Sequence, residues 1–241
     1  FNFLLVRPEA TLHSRTPNAT RGERKRPVLT IEHLSKSYCQ NGSAPVCALS
    51  DVSFTVPRGT FVSLVGPSGC GKSTLLQCIC GLMRPTGGQV ALDGRAIESP
   101  PPEMALIFQN AAASLFPWQS LLDNIRFVLR RKPGTRADKL ETARKSLAAV
   151  GLADFADYYP WQVSGGMQQR AALARGPAYG ADILLLDEPF ASVDAQTRED
   201  LEDLLARIAA EQAKTVLFVT HDIDEAVYLS DTVVVLSAPR A

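Results

Sequence analysis

The stretch GPSGCGKST, from Gly66 to Thr74, decides the fold of this chain. It fits the pattern G-x-x-x-x-G-K-[ST], in which two glycines, a lysine and a hydroxyl residue occupy fixed positions. The apolar run Phe61–Val65 before it predicts a buried strand, and the run Thr74–Leu82 after it has no helix breaker until Gly81 and predicts a helix. A strand, a glycine-rich loop and a helix in this order indicate a phosphate-binding loop.

The residue types in this loop suit the phosphates of a nucleoside triphosphate. Glycines let the backbone turn so that successive N–H groups point at phosphate oxygens, and the helix N-terminus adds partial positive charge. Lys72 can reach the β- and γ-phosphates, and the Ser73 hydroxyl can bind Mg²⁺. The alternative is a glycine-rich turn without this chemistry. We expect the whole loop to contact ATP: Gly66, Pro67, Ser68, Gly69, Cys70, Gly71, Lys72, Ser73 and Thr74.

Composition excludes several classes of protein. The 241 residues carry 25 basic and 25 acidic side chains, so no overall charge favours nucleic acid or an anionic membrane. The longest apolar runs are far shorter than the ~20 residues of a membrane-spanning helix. The five cysteines show neither metal-ligand spacing nor a disulfide framework, as is typical of reduced cytosolic thiols.

The chain divides into a basic leader and a folded part. Residues 1–27 have little periodicity, and we expect a disordered leader outside the fold; a functional basic arm is the alternative. The folded domain is expected over 28–241. Within it, Val28–Leu34 and Val46–Val56 are rich in β-formers, and Val90–Leu92 followed by Asp93-Gly94 is typical of a hairpin. These segments predict a small antiparallel β layer.

The remaining segments predict an α/β core with a helical subdomain. From about 110 to 181 helix formers dominate, with an amphipathic helix over Thr135–Val150. Helices alternate with short apolar runs that predict buried strands: Ala105–Phe108, Ile183–Leu186, Thr215–Thr220 and Thr232–Leu236. This alternation indicates a P-loop NTPase core with a mostly parallel sheet.

Two further stretches carry residues that suit nucleotide chemistry. In Ile183–Glu188 an apolar strand ends in Asp187, which can partner Mg²⁺, and Glu188 can accept a proton from an attacking water. Such a pattern standing alone also describes a strand that merely leaves the core.

The stretch VSGGMQQR, Val163–Arg170, predicts a second anion-binding helix start. Ser164 is a good N-cap, and Gly165 and Gly166 leave the first backbone N–H groups accessible. A capped helix with a flexible entrance is the alternative.

Taken together, GPSGCGKST, VSGGMQQR, ILLLDEP and VTHD, in this order, resemble the ATP-binding subunits of ABC transporters, over about 28–241. Phe116-Pro117-Trp118, Leu122-Asp123-Asn124 and the run from Phe218 to Ala226 resemble the nitrate, sulfonate and taurine importer branch. The resemblance implies the ABC ATPase fold and an ATP-hydrolysing subunit that powers solute import through a membrane permease.

The resemblance also implies roles for single residues. Tyr38 would stack on adenine, and Gln109 would sense Mg²⁺ and the γ-phosphate. Glu188 would be the catalytic base, and His221 would contact the γ-phosphate and position the attacking water. The implied catalytic set is Glu188, His221, Gln109 and Lys72, and the implied Mg²⁺ ligands are Ser73, Gln109 and Asp187, partly through water.

A second copy of the chain is the first implied partner. Ser164, Gly165 and Gly166 would bind the ATP of that copy in a head-to-tail dimer, and Asp194 would lie in the loop that communicates across it. A permease docked near the Gln109 loop, and indirectly a solute-binding protein, would complete the transporter. No nucleic acid is expected, and the chain would lie peripherally on the cytoplasmic face of the cell membrane.

The sequence departs from the family pattern at a few positions. Val163 and Val193 stand where leucine is usual, and the segment from Gln109 to Pro117 is about two residues longer. Gly176-Pro177 predicts that the helix after Val163–Arg170 ends or kinks near Arg175.

Two other functions are weighed against an ATPase that drives transport. One is a nucleotide-gated dimerising clamp with little turnover, and the other is a soluble ABC ATPase not coupled to transport. The presence of both Glu188 and His221 favours an enzyme.

Overall fold

The computed structural model describes residues 4–6, 27–39, 45–110, 112–191 and 193–237. Its contacts divide the chain into two units, one of Phe1–Pro101 with Leu217–Ala241 and the other of Pro102–Val216. Each unit is described separately below.

The described strands and helices follow the predicted alternation. The strands are β1 (Leu4–Val6), β2 (Pro27–Tyr38), β3 (Val46–Pro57), β4 (Phe61–Val65), β5 (Gly87–Leu92), β6 (Arg95–Ala96), β7 (Met104–Ile107), β8 (Ile183–Asp187), β9 (Thr215–Thr220) and β10 (Thr232–Val235). The α-helices are α1 (Lys72–Ile79), α2 (Leu121–Val128), α3 (Arg136–Ala149), α4 (Gly165–Tyr179), α5 (Ala195–Glu211) and α6 (Ile223–Leu229). Single 3₁₀ turns lie at Ala112–Ser114, Ala153–Phe155 and Pro160–Gln162.

Strand β4 is the buried centre of the first unit. All five of its residues are buried, and it pairs in parallel with β10 from Val62–Thr232 to Val65–Val235. The Leu236 N–H then donates to the Val65 carbonyl at 2.7 Å, so the pairing extends to the strand end. A strand buried on both faces is typical of a parallel α/β sheet, as the apolar sequence of β4 predicted.

The predicted antiparallel layer is confirmed. Strand β2 lies between β3 and β5 and pairs antiparallel with both, and β5 and β6 form the hairpin predicted at Asp93-Gly94. Apolar residues of β2 such as Leu29 and Ile31 are fully buried, which anchors this layer.

Part of the leader belongs to the fold. Leu4–Val6 form β1, which pairs antiparallel with Val233–Val235 of β10. The expectation that residues 1–27 lie outside the fold is therefore wrong for these three residues, and Pro27 already begins β2. Leu-Leu-Val is a β-forming run that adds to the edge of an apolar strand. Residues 1–3 and 7–26 lie outside the described part of the chain.

Two parallel strands and a set of helices build the second unit. Strands β7 and β8 pair from Met104–Ile183 to Ile107–Leu186. Helices α2, α3 and α4 contact one another, and α4 also contacts β7. This unit is larger than the helical segment expected at 110–181, since it includes β7, β8 and α5.

Helix α3 confirms the amphipathic helix predicted at Thr135–Val150. Thr135 caps it, and the Asp138 carboxylate accepts from the Thr135 N–H at 2.8 Å, so the two residues form a capping box. Ala143 and Leu147 are buried on its inner face.

Helix α4 does not end near Arg175, one of the two expected outcomes, but continues to Tyr179 with Pro177 inside it. The helix tolerates the proline because the clash of a proline ring with the preceding residue is smallest when that residue is glycine, here Gly176. Pro177 also lies in the last turn, since Gly180 ends the helix with φ of 77°.

Asn124 organises the segment that enters α2. Its side chain is fully buried, and its Oδ1 accepts from the Phe116 N–H at 2.8 Å. Its Nδ2 lies 3.1 Å from the Phe116 carbonyl, 3.2 Å from that of Gln119 and 3.1 Å from that of Ser120. One amide therefore satisfies both backbone groups of Phe116 and sets the course of residues 116–120.

We expect Asn124→Ala to lower the free energy of unfolding by about 2 kcal/mol or more, because it leaves these backbone groups without their partner. Asp123→Ala is the matched control, since it removes a partly exposed ion pair with Arg126 and is expected to cost less than about 1 kcal/mol. Urea unfolding measures both values. Equal losses in the two variants would contradict this account of Asn124.

Candidate functional site

The loop between β4 and α1 has the backbone that a phosphate cradle requires. Gly69 and Gly71 have φ of 78° and 95°, in the region that favours glycine. A Cβ added to Gly66 would lie 2.5 Å from the Leu236 carbonyl oxygen, so this position has no room for a side chain. The glycines of the motif are therefore needed for both the turn and the close packing.

Lys72 lies at the start of α1, inside the loop. It is 5% exposed, and its Nζ donates to the carbonyls of Gly66 at 2.8 Å and Pro67 at 3.2 Å. No side chain caps α1 at Gly71, and no acidic residue lies in its first turn. Accessible N–H groups and a lysine at a helix start suit an anion such as phosphate.

Tyr38, the last residue of β2, lies beside the end of this loop. Its hydroxyl oxygen is 3.3 Å from Thr74 Oγ1 and 3.2 Å from Met83 Sδ. Its ring is partly exposed, and Lys36 Nζ lies 5.5 Å from the ring centroid. The structure thus brings the partly exposed Tyr38 to the end of the phosphate loop.

His221 lies at the junction of β9 and α6 in the same unit. The Asp222 N–H donates to Thr220 Oγ1 at 2.9 Å, and Thr220 donates to the buried Glu225 at 2.6 Å. Asp222 also caps α6. These bonds fix the backbone on both sides of His221, whose side chain is exposed.

Gln109 and Asp187 lie at the same edge of the second unit. Asp187 is the buried last residue of β8, and Gln109 follows β7 by two residues and is exposed. Because β7 and β8 are parallel and Ile107 pairs with Leu186, both strands end together. Phe108, expected in the strand, instead lies beyond its end and is exposed.

Glu188 has a backbone conformation that is unusual for its residue type. Its φ is 44°, in the left-handed region that non-glycine residues rarely occupy. It follows Asp187 directly, and the Ala191 N–H lies 3.3 Å from its carbonyl oxygen. Strained residues of this kind cluster at functional sites.

The start of α4 has the geometry expected from VSGGMQQR. The hydroxyl of Ser164 accepts from the Met167 N–H at 3.3 Å, and Ser164 and Gly165 are exposed. A Cβ added to Gly166 would lie 2.8 Å from Thr197 Cγ2 of α5, so glycine permits the two helices to approach here.

Asp194 joins this group through the same threonine. It caps α5, where its carboxylate accepts from the Thr197 N–H at 3.0 Å and the Thr197 hydroxyl at 2.8 Å. These hydrogen bonds hold the pKa of Asp194 below its usual range, so it stays ionised at neutral pH. The structure therefore brings Gly166 and Asp194 to two sides of Thr197.

Sequence reasoning missed Gln169 as a connecting residue. It is buried, and its Nε2 donates to the Pro189 carbonyl, which joins α4 to the segment that contains Glu188. The signal was present in the sequence, because a polar residue on the inner side of a helix requires a partner.

The residues expected to bind Mg²⁺ suit that ion by their chemistry. Ser73 offers a hydroxyl, Gln109 an amide oxygen and Asp187 a carboxylate, and Mg²⁺ prefers a few such oxygens beside those of substrate phosphates. No cluster of three or more His, Cys, Asp or Glu side chains that could hold a metal occurs in the described ranges. In the same ranges no helix has the length and hydropathy to cross a lipid bilayer.

Residues 49–191 match the family model described as ABC transporter. The chain belongs to this family. It is thus an ATP-binding, ATP-hydrolysing ABC subunit with ATP and Mg²⁺ as its ligands.

Relatives of this ABC subunit include transport proteins. It is 42% identical over 213 residues to the taurine import ATP-binding protein TauB of Rhizobium johnstonii, over 88% of this chain and 80% of that one. It is 42% identical over 224 residues to the bicarbonate transport ATP-binding protein CmpD of Synechocystis, over 92% and 78% of the two chains. It is 43% identical to the nitrate import ATP-binding protein NrtC of Synechococcus elongatus, over 87% of this chain and 32% of that longer one.

Solved structures show the same fold. A dimeric post-hydrolysis structure of the ATP-binding cassette MJ0796, bound to ADP and phosphate, superposes with a TM-score of 0.74 at 31% identity. It covers 88% of this chain and 97% of that cassette. The predicted ABC ATPase fold is confirmed.

Proposed function

We propose that this chain is the ATP-hydrolysing subunit of an importer for a small oxoanion, and that it works as a head-to-tail dimer beneath a membrane permease. The observation that carries the proposal is that the chain has two separate helix starts suited to phosphate. One is the glycine loop with Lys72, in the first unit, and the other is the exposed start of α4 at Ser164, in the second. Two starts in each of two copies would sandwich two ATP molecules.

The proposal gives the first unit the task of holding ATP. The loop from Gly66 to Thr74 binds the phosphates through its N–H groups, and Lys72 adds a charge that follows the β- and γ-phosphates. Tyr38 stacks on adenine, which its partly exposed ring supports. His221, whose neighbours are fixed by hydrogen bonds, contacts the γ-phosphate and keeps the attacking water in line.

The second unit supplies the proton acceptor. Glu188 takes the proton of the attacking water. Its left-handed backbone conformation, which is unfavourable for a non-glycine residue, supports this role because such strained residues cluster at functional sites. Asp187, Gln109 and Ser73 would supply oxygen donors for Mg²⁺, which would neutralise charge on the phosphates. Ser164, Gly165 and Gly166 bind the nucleotide of the partner, and Asp194 at α5 supports the same surface.

The second unit also presents a surface that suits a protein partner. Trp118 is 71% exposed, and its ring centroid lies 5.4 Å from that of Phe116, which lies 4.7 Å from Phe127. Exposed aromatic groups of this kind mark interaction sites. We assign this aromatic surface, which follows Gln109 in sequence, to the permease.

A basic cleft shares Phe127 with the aromatic surface. It has a volume of about 450 Å³ and is lined by Gln119, Asp123, Arg126, Phe127, Arg130, Arg136 and Lys139. Of its four cations, only Arg126 lies within salt-bridge distance of a carboxylate among the described residues, 2.6 Å from Asp123. The cleft therefore favours a permease segment with acidic side chains.

The class of solute follows from the relatives. Taurine, bicarbonate and nitrate each carry a group of three oxygens around one central atom, and proteins named for their transport are 42 to 43% identical to this chain. A solute-binding protein and the permease would select the solute. Through the permease, the chain lies peripherally on the cytoplasmic face of the membrane.

Two other functions differ from this proposal in what they predict. A dimerising clamp would bind ATP without turnover, and a soluble ABC ATPase would turn over without a response to any permease. Neither explains the similarity to three transport subunits, so the importer is favoured.

We expect oxoanions to stimulate the ATPase when the chain is reconstituted in proteoliposomes with its permease and solute-binding protein. Nitrate, bicarbonate and sulfonates are compared with a sugar. The double change Arg130→Glu with Arg136→Glu should reduce the stimulated rate about tenfold, because it reverses the charge of the basic cleft. Lys145→Glu is the control, because Lys145 is an exposed residue of α3, the helix that carries Arg136, and does not line the cleft. Stimulation of the ATPase by the sugar but not by the oxoanions would contradict the proposal. A stimulated rate that stays at the parental value in the double variant would contradict it as well.

We expect Glu188→Gln to keep ATP affinity but to lower turnover by about 10²-fold or more, since it removes the proton acceptor. With ATP and Mg²⁺ the variant should accumulate as a dimer, which light scattering detects. Glu211→Gln, an exposed change at the end of α5, should leave the rate unchanged. A Glu188→Gln chain that hydrolyses ATP at the parental rate removes Glu188 from this role.

A further inference from the structure

Arg175 makes an unusual contact from the third turn of α4. Its Nη1 donates to the Ser114 carbonyl at 2.8 Å and lies 3.0 Å from Ser114 Oγ, and its guanidinium carbon lies 5.9 Å from the Phe116 ring centroid. Arg175 is half-buried, and this burial lowers the pKa of its guanidinium. Among the described residues no carboxylate lies within salt-bridge distance of it.

Packing alone does not account for an arginine at this position. A charged group that leaves water for two neutral acceptors loses much of its hydration, whereas a methionine of similar length would fill the space without that cost. The guanidinium therefore connects α4 to Ser114 through directed hydrogen bonds.

Ser114 belongs to a short segment that runs from Gln109 to the aromatic surface. Asn110 Oδ1 accepts from the Ala113 N–H at 3.1 Å, and Ala112–Ser114 form a single 3₁₀ turn. Two residues later Phe116 is held by Asn124. Within the segment 112–118, Asn124 therefore holds Phe116 and Arg175 holds Ser114.

The adjacent residue, Gly176, seats α4 on the two strands of the second unit. A Cβ added to Gly176 would lie 3.0 Å from Leu184 Cδ2 of β8 and 3.6 Å from Ile107 Cδ1 of β7. These strands lead directly to Asp187 and Gln109. The helix backbone at Arg175 is therefore held close to the strands that position both residues.

From this arrangement we propose that Arg175 is a positioning residue that couples the start of α4 to the segment 112–118. Helix α4 runs from its cap at Ser164 to Arg175 over eleven residues, about 16 Å, and its backbone hydrogen bonds connect the two positions. When the partner's ATP binds at Ser164, Arg175 carries the displacement of α4 to Ser114 and the aromatic surface. This inference rests on the proposed head-to-tail dimer and names the contact through which it signals.

Amide hydrogen exchange in the full chain tests this coupling without a permease. The reference chain carries Glu188→Gln, which holds the ATP dimer together. In it, ATP should slow exchange both at residues 164–168 and at residues 112–118. Adding Arg175→Met should keep the ATP-dependent protection at 164–168 and reduce that at 112–118 about fivefold or more, the lower range of coupling between sites. For each chain, the exchange rate without ATP is divided by the rate with ATP. A substitution that only loosens the segment 112–118 raises both rates and leaves this ratio unchanged.

Arg207→Met in the same reference chain is the matched control. It removes an arginine of α5 that likewise donates to a backbone carbonyl, that of Ala149 at 2.9 Å, and it should leave both protections unchanged. Arg175→Lys keeps the positive charge but loses the planar guanidinium, so its ATP-dependent protection at 112–118 should lie between those of the reference chain and Arg175→Met. It replaces Arg175→Met if that variant does not fold.

The outcomes separate the inference from the function on which it rests. No ATP-dependent protection at 164–168 in the reference chain would overturn the dimer, and the inference with it. Protection at 164–168 together with unchanged protection at 112–118 in both Arg175 variants would overturn the inference alone. An equal loss of protection in Arg207→Met would also overturn it, because the coupling would then not depend on Arg175.

Discussion

We propose that one electrostatic requirement organises the structure, the convergence of backbone N–H groups and the Lys72 ammonium on a phosphate. The positive φ of Gly69 and Gly71 gives the loop the turn that this convergence needs, and Gly66 packs against Leu236 with no room for a Cβ. The loop is held from within by Lys72, which donates to the Gly66 and Pro67 carbonyls, and it also needs rigid support on both sides. The first unit provides this support with a parallel strand before the loop and a helix after it.

In the second unit, helix α4 has a comparable organising role. Its start is capped by Ser164, Gln169 connects it to the Glu188 segment, and Arg175 connects it to Ser114. Gly176 permits close contact with two strands. One helix therefore contacts each segment of this unit to which we assign a part in ATP hydrolysis, which is why a local change at its start can act over its length.

Many of the strands and helices could be predicted, because their apolar patterns and capping residues are local features of the sequence. The alternation of apolar runs predicted β4, β8 and β9, and Ser164 was recognisable as a helix cap. Other features depend on contacts between residues far apart in sequence. The pairing of Leu4–Val6 with β10 could not be read from a three-residue run in a basic segment. The course of α4 through Pro177 depends on the preceding glycine, and the partners of Gln169 and Arg175 lie 20 and 61 residues away.

The central claim is that two copies of the chain together form each ATP-binding site. Mixing two variants that are each inactive alone tests this claim most directly. Ser164→Arg should bind ATP through its own loop yet hydrolyse poorly, and Lys72→Ala should lose ATP binding. In an equal mixture half of the dimers carry one composite site with both lesions and one with neither. The account predicts that the mixture regains up to about a quarter of the parental ATPase rate. Loss of ATP binding by monomeric Ser164→Arg would contradict it, because Ser164 would then belong to the site of its own chain.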